Sequence, residues 1–445
     1  YRKDRRGKEF PKCAFWLAQM QKSSGNYIDA RRTWSMVSRK YRRKNRDSYF
    51  YKKAQKEQKA CGKASKWINR NPDHEIKNIG HSVNTTASEF GTHLTKDSTL
   101  IFSSLRADTI TNELAVKDEN YTIDIYKAEM KGEKWIDKGK LDSVINKKNG
   151  NNANASLSPK GDKLYFNRCN EKKDSCRIVV TKKKENGKWG KPKPLNSKIN
   201  KPNAKNTHPY VTTFNGKEVL FFASNREGGI GKFDIWYSFK GKEGFKEPIN
   251  IGKPVNSIDN EITPFYAPDL KILYFSSDWH LGLGGYDIFK ARGEPDSLEK
   301  TDNLGVGFNS PANDLYFSLA PNCKGGFLTS NRDTALTDKG GNCCNDIFQF
   351  KYDCPVPTDT LRLAKKKEKR SKDTLPEYQT LEDLNKFLPV TLYFHNDIPN
   401  PDSWKTSTDS TYIQTYNNYR TLIPRYKKRY SKGLKGDKID TAKKK

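Results

Sequence analysis

The stretch LYFSSDWHLGLGGYDIF, residues 273–289, sets an apolar run against a loop holding Gly282, Gly284 and Gly285. A strand that empties into glycines is how many phosphate cradles begin, and such a cradle needs a helix N-terminus directly behind it. The chain contains four relatives of the run: LIFSSLR at 100–106, LYFNRCN at 164–170, LFFASNR at 220–226 and GFLTSNR at 326–332. Each is followed by a polar loop and a second strand-like segment, IDIYKA at 123, CRIVVT at 176, FDIWYS at 233, YDIFKA at 286 and NDIFQF at 345. Ile125, Ile178, Ile235, Ile288 and Ile347 lie 53, 57, 53 and 59 residues apart. A strand arrives where a phosphate site needs a helix, so the loop reads as a hairpin. Its glycines are expected to supply positive φ angles, and Trp279 and Leu281 to stand exposed as candidate partner contacts.

Each repeat has two further parts. Turn chemistry in SLSPKGDK, TTFNGKEV and FYAPDLKI marks a hairpin into the first run. A weaker segment follows the second, in EKWIDKGKL (133–141), GKWGKPKPL (187–195) and EGFKEPINI (243–251), and SVN-type signatures at 82, 144, 198, 254 and 307 open each unit. Four strands per unit at this period describe a blade of a β-propeller, so the fold class is mainly β. Alternation in LYFSSD turns Leu273 and Phe275 to one face and Tyr274 to the other, toward the two neighbouring blades. Asp124, Asp234, Asp287 and Asp346, which recur before an isoleucine, are expected to lock the preceding loop through its backbone N–H groups. The last unit lacks a fourth strand because CPVP at 354–357 stops it. HEIKNIGHSVN (74–84) has the spacing of EPINIGKPVN, so Glu75 to Ile79 are expected to complete that blade, giving five blades; six with one degenerate unit is the alternative.

Four regions are expected: basic helices over 1–73, the propeller over 74–353, a linker over 354–386, and an α/β fragment over 387–445. The first contains CAFWLAQMQKSSGNYIDARRTWSMVSRKY, whose apolar residues recur with helical period and break at Gly25 and Asn26. The net charge of +31 is uneven, with 23 basic against 7 acidic residues up to 78, 40 against 34 over 79–353, and 20 against 11 from 354. The ends are basic, so Arg31, Arg32, Arg42 and Arg43 join the candidate partner contacts.

The chain has eight cysteines. Cys169 and Cys176 bracket a hairpin tip, Cys61 is within possible reach of Cys13, and Cys323, Cys343, Cys344 and Cys354 crowd one region with three possible pairings. This usage suggests disulfides in an oxidising compartment such as a periplasm. Zinc is disfavoured, since no C-x-x-C pair exists and adjacent Cys343 and Cys344 are poor joint ligands for one tetrahedral ion. The apparent bridges also count against nucleic-acid binding through residues 1–78. No apolar run approaches the ~20 residues of a membrane-spanning helix.

The blades resemble the TolB-like, WD-type propeller repeats of Bacteroidota envelope proteins, on the F-x-S-[ND]-R/W and D-I-[YWF] pairs over 79–353. The paired N-terminal helices resemble a tetratricopeptide unit, and LYFHNDIPNP (within 389–423) looks like the opening of an OmpA-like peptidoglycan-binding domain. That order is similar to periplasmic anchoring proteins of type nine secretion and gliding motility. The resemblance implies an outer-membrane-associated, periplasmic scaffold that binds envelope or secretion proteins, with peptidoglycan met only through a domain incomplete here. No cofactor, metal or catalytic constellation is expected: the six histidines lack ligand spacing and G-x-S-x-G is absent. The alternative is a glycan-cleaving five-bladed propeller, for which Glu89, Asp162 and Glu261 are the acidic candidates near the inner strands.

Overall fold

The computed structural model describes residues 12–70, 72, 74–106, 122–147, 150–170, 175–335 and 345–353. All lie in the first of two compact units, Tyr1–Leu361 and Arg362–Lys445. The linker and α/β fragment expected after 353, with Cys343, Cys344 and Cys354, fall outside the described residues.

The described strands form five antiparallel sheets, each a blade. Blade I is β2 (Glu89–Leu94), β3 (Thr99–Ser104), β4 (Asp124–Lys131) and β5 (Lys134–Lys140), and blade II is β6 (Asn151–Leu157), β7 (Lys163–Cys169), β8 (Cys176–Lys182) and β9 (Lys193–Pro194). Blade III comprises β10 (Asn206–Phe214), β11 (Lys217–Ser224), β12 (Asp234–Gly241), β13 (Gly244–Phe245) and β14 (Ile249–Asn250). Blade IV holds β15 (Glu261–Ala267), β16 (Ile272–Ser277), β17 (Asp287–Arg292) and β18 (Asp302–Asn303). Blade V takes β19 (Asp314–Leu319), β20 (Lys324–Ser330) and β21 (Asp346–Asp353), and its outer strand is β1 (Ile76–Asn78), drawn from before blade I. Ile76 faces Phe350 and Asn78 faces Phe348, so the ring closes as the spacing of HEIKNIGHSVN predicts.

The two faces of each central strand pack on opposite neighbours. Leu273 and Phe275 join the core shared with Phe221 and Tyr237 of blade III, while Tyr274 joins Phe317 and Phe350 of blade V. Phe221 stacks on Tyr266 at 5.2 Å, and Tyr274 on Phe317 at 4.3 Å. Such offset aromatic pairs add to the burial that holds blades together.

The asparagine of the SVN signature has a role that the sequence did not disclose. Asn84, Asn146, Asn200, Asn256 and Asn309 each accept from the main-chain N–H and donate to the carbonyl of one isoleucine: Ile347, Ile125, Ile178, Ile235 and Ile288. The amide thus completes the sheet edge where the outer strand has ended, pairing both main-chain groups of that isoleucine. Where the preceding loop is described, the recurrent aspartate locks it as expected: Asp287 accepts from Leu283 and Gly284 N–H at 2.8 and 3.0 Å, and Asp234 from Ile230 and Gly231 N–H.

Among the described residues three helices precede β1: α1 (Cys13–Ser23), α2 (Tyr27–Lys44) and α3 (Tyr49–Trp67). Gly25 (φ 71°) ends α1, and the Asn26 and Ser48 side chains cap α2 and α3. Ala18 and Ala30 are fully buried, which lets the helices approach closely around Phe15 and Trp34. Leu283 of the glycine loop enters this helical core.

That insertion corrects two expectations. Trp279 and Leu281 are half-buried rather than exposed, with Lys53 and Lys56 of α3 over the Trp279 ring at 5.5 and 5.7 Å. Gly282, Gly284 and Gly285 do not have positive φ. They are glycines for lack of room: a Cβ would sit 2.0 Å from the Asp287 carboxylate at Gly282 and 1.8 Å from the Ala312 carbonyl at Gly284. Cys169 and Cys176 are bonded, and Cys323 is in a disulfide. The Cys13–Cys61 pair does not form, because Cys61 is sealed in the helical core, where burial pushes its thiol up to about 12, while Cys13 sits half-buried at the helix start. Arg31, Arg32, Arg42 and Arg43 are exposed on α2.

Candidate functional site: the central funnel

The inner strands β2, β6, β10, β15 and β19 surround a funnel of about 980 Å³, lined further out by the hairpins after β2, β6, β15 and β19 and by residues 140–142 and 186–189. Each inner strand carries a bulge at the same place, shown by a register shift against its neighbour. The bulge puts one residue per blade in the left-handed region: Gly91 (φ 66°), Asn154 (57°), His208 (52°), Thr263 (53°) and Tyr316 (55°). For threonine and tyrosine that conformation costs free energy which the surrounding sheet must hold. A structural bulge alone would favour glycine or asparagine throughout. Five unlike residues at one repeat position instead form a ring of different chemistries.

The ring is partly connected. His208 Nε2 lies 3.1 Å from the Tyr316 hydroxyl, and Asn154 donates to Asn167 Oδ1 at 3.2 Å. Thr263 donates to Ser276 at 2.8 Å. Burial lowers His93 to about 4 and His208 to about 3, so both imidazoles are neutral near pH 7. Two buried polar atoms in the ring, Asn154 Oδ1 and His208 Nδ1, have no hydrogen-bond partner within the protein. Buried polar atoms are rarely left unpaired, so the two mark hydrogen-bonding capacity that the described residues do not use. Tyr210, packed on Phe265 at 4.7 Å, and Trp189 add aromatic wall.

The acidic candidates sit elsewhere. Glu89 accepts from Thr85 N–H, Ser104 and Arg106, and Glu261 from Ser257 N–H and the Ser257 and Ser277 hydroxyls. Asp314 occupies the same position in blade V and accepts from Ser330 and Arg332. These carboxylates tie the starts of β2, β15 and β19 to the next strand and do not line the funnel. Asp162 is exposed and bonded to Ser158 in its turn. The carboxylates that do line the funnel, Asp97, Asp142 and Asp269, are on exposed hairpins and connections.

Glu261 differs from its equivalents in having no arginine, because Trp279 stands where Arg226 and Arg332 stand in blades III and V. His280 takes over one contact, reaching the Val255 carbonyl at 2.8 Å as Arg226 reaches that of Ile199. Without a cation, burial pushes Glu261 from 4.5 up to about 7. The native state therefore holds this proton more tightly than the unfolded chain, and stability falls as pH rises through the window from 4.5 to about 7. Asp287, pushed to about 7 by burial, acts in the same direction. Glu261→Gln is expected to flatten part of that slope and to raise stability above pH 7 by about 2 kcal/mol. Thermal melts across pH check this; an unchanged slope would rule out Glu261 as its source.

No family model and no curated protein matches the chain. Among solved structures, the chain is similar to Zg3597, a family 117 glycoside hydrolase of the marine bacterium Zobellia galactanivorans, at 13% identity over 71% of this chain and 98% of that one, with a TM-score of 0.42. An alpha-L-arabinofuranosidase from Lactobacillus brevis gives 12% identity over 66% and 98%, with a TM-score of 0.41. A thermostable family-43 glycoside hydrolase gives 14% over 62% and 96%, with a TM-score of 0.41. The similar structures are glycoside hydrolases, against the expectation of a non-enzymatic scaffold and on the side of its alternative, the glycan-cleaving propeller. At these identities the likeness assigns no residue; the mainly β, five-bladed propeller is shown by the order of the strands in the five sheets.

Proposed function

We propose that the funnel binds a glycan and that the chain cleaves it. The observation that carries this reading is the ring at the funnel floor, where five unlike residues share one left-handed position and Asn154 Oδ1 and His208 Nδ1 await partners. The His208 imidazole, in contact with the Tyr316 hydroxyl, and the Asn154 amide bring both donors and acceptors to the ring, a match for sugar hydroxyls that donate and accept at once. Tyr210 and Trp189 offer flat apolar surface for a sugar ring. Cleavage needs one carboxyl group as acid and another as base or nucleophile, and Asp97, Asp142 and Asp269 are the lining carboxylates able to serve. Thr95 holds Asp97 below the usual carboxylate range, which suits it to the base or nucleophile role. The Cys169–Cys176 bridge supports an oxidising compartment such as a periplasm.

The test is turnover of an oligosaccharide panel by the pure protein, with product release followed by chromatography. Asp97→Asn, Asp142→Asn and Asp269→Asn, made singly, are expected to reveal at least one loss of about a hundredfold or more, while Glu261→Gln retains activity. Absence of both turnover and saturable glycan binding would sink the proposal.

A further inference from the structure

Charge is not spread evenly around the funnel. Six lysines are among the described lining residues: Lys96, Lys127, Lys140, Lys160, Lys183 and Lys188. All belong to blades I and II or their connections, and among the described residues blades III, IV and V contribute none. The same half contributes Asp97 and Asp142, so its formal balance is six positive charges against two negative. Lys140 is paired with Asp124 at 2.8 Å. Lys96, Lys160, Lys183 and Lys188 are exposed at the mouth. The opposite half is apolar, with Phe265, Leu270, Phe317, Leu319 and Pro321, and Asp269 is its lining carboxylate.

We infer that the glycan is an acidic one, whose carboxylate or sulfate groups meet the lysines of blades I and II while the uncharged faces of its rings lie on the wall of blades IV and V. This rests on the reading of the funnel as a glycan site. Like charges converging on one concave surface focus the potential there and raise the local concentration of an anionic ligand. Lysine suits the task, as a compact point charge on a flexible stem that can follow acid groups placed along a polymer. The neutral histidine, asparagine and tyrosine of the floor take ring hydroxyls and leave charge recognition to the mouth. A neutral glycan would use the floor and the apolar wall and leave the lysine half without a counter-charge.

The experiment is calorimetric titration of the full chain with oligogalacturonate and with maltooligosaccharide of matched length, at low and high salt. Oligogalacturonate is expected to bind more tightly, with an affinity that falls as salt rises. The triple variant Lys160→Gln, Lys183→Gln and Lys188→Gln should weaken it about tenfold, and the same charge change on blade III, Lys217→Gln, Lys242→Gln and Lys246→Gln, should not. Binding of the neutral sugar alone would overturn the acidic assignment and leave the glycan reading standing. Equal losses from the two triples would overturn it in favour of general attraction between polyions, and binding of neither sugar would overturn both readings.

Discussion

Replacing Lys53 by methionine is expected to cost about 3 kcal/mol, the upper range for a single surface-free substitution that strands buried charge. Lys53 lies in α3 with its ammonium buried between the helices and blade IV, 3.0 Å from Asp259 Oδ2, 3.4 Å from Glu57 Oε1 and bonded to the Asp278 carbonyl. Burial works to lower its pKa, but Glu57, Asp278 and Asp259 together outweigh this and hold it above the ordinary lysine value. Burial would likewise raise Glu57 and Asp259, and their lysine partners hold both below the usual range. Removing the cation leaves Glu57 with Lys22 and Asp259 with Lys232 and Tyr49, which limits the loss. Pairing Lys53→Met with Asp259→Asn should therefore recover part of the stability. Chemical denaturation read by helix and sheet signals together provides the measurement. A loss under about 1 kcal/mol would mean that the cluster is no more than a surface pair.

Asn84→Ala should have a comparable effect with a different signature. The Asn84 amide accepts from Ile347 N–H at 2.9 Å, donates to the Ile347 carbonyl at 2.9 Å, and donates to Asn78 Oδ1 at 2.7 Å. Asn78 in turn donates to Asp346 at 2.6 Å, so one amide joins the closing strand to the last blade. Leaving these groups unpaired in the interior is expected to cost about 3 kcal/mol. Asn256→Ala removes the same two contacts with Ile235, at a blade whose strands follow one another in the chain. Both variants should lose stability, but only Asn84→Ala should speed amide exchange in β1 and β21 ahead of global unfolding. Equal protection of β1 in the two variants would show that closure does not depend on this clamp.

Much of the fold was legible because a blade cannot bury its faces without neighbours, and that need repeats in the sequence as aromatic runs at a fixed period. The closing strand was legible for the same reason, since Asn78 and Gly80 stand in KNIG as Asn250 and Gly252 stand in INIG. The funnel floor was not, because its shared feature is a backbone conformation carried by five different residue types. Its signal lay in the reverse of repetition: at a position two residues beyond Glu89, Asn152, Asn206, Glu261 and Asp314, the repeat stops agreeing with itself. Glu261 was legible for the opposite reason, since it repeats Glu89 at the same place after the SVN signature and repetition favours a structural role. A carboxylate at the head of an inner strand resembles a catalytic group, yet serine hydroxyls and a backbone N–H already occupy its oxygens. The glycine loop was correctly separated from phosphate sites, but the demand on its glycines came from Ala312 and Asp287 across space, which local sequence does not report.

Five near-copies of one unit offer five near-identical seats to anything that docks on the ring, and a molecule in that situation has no fixed azimuth. The Trp279 to Leu283 insert removes the degeneracy. With tryptophan in place of the arginine of blades III and V and a leucine that enters the helical core, blade IV is the seat that the helices take. The helices are thereby indexed to one angular position, and through the rigid ring so is every funnel residue. A ring with five equivalent hours becomes a dial with a marked one.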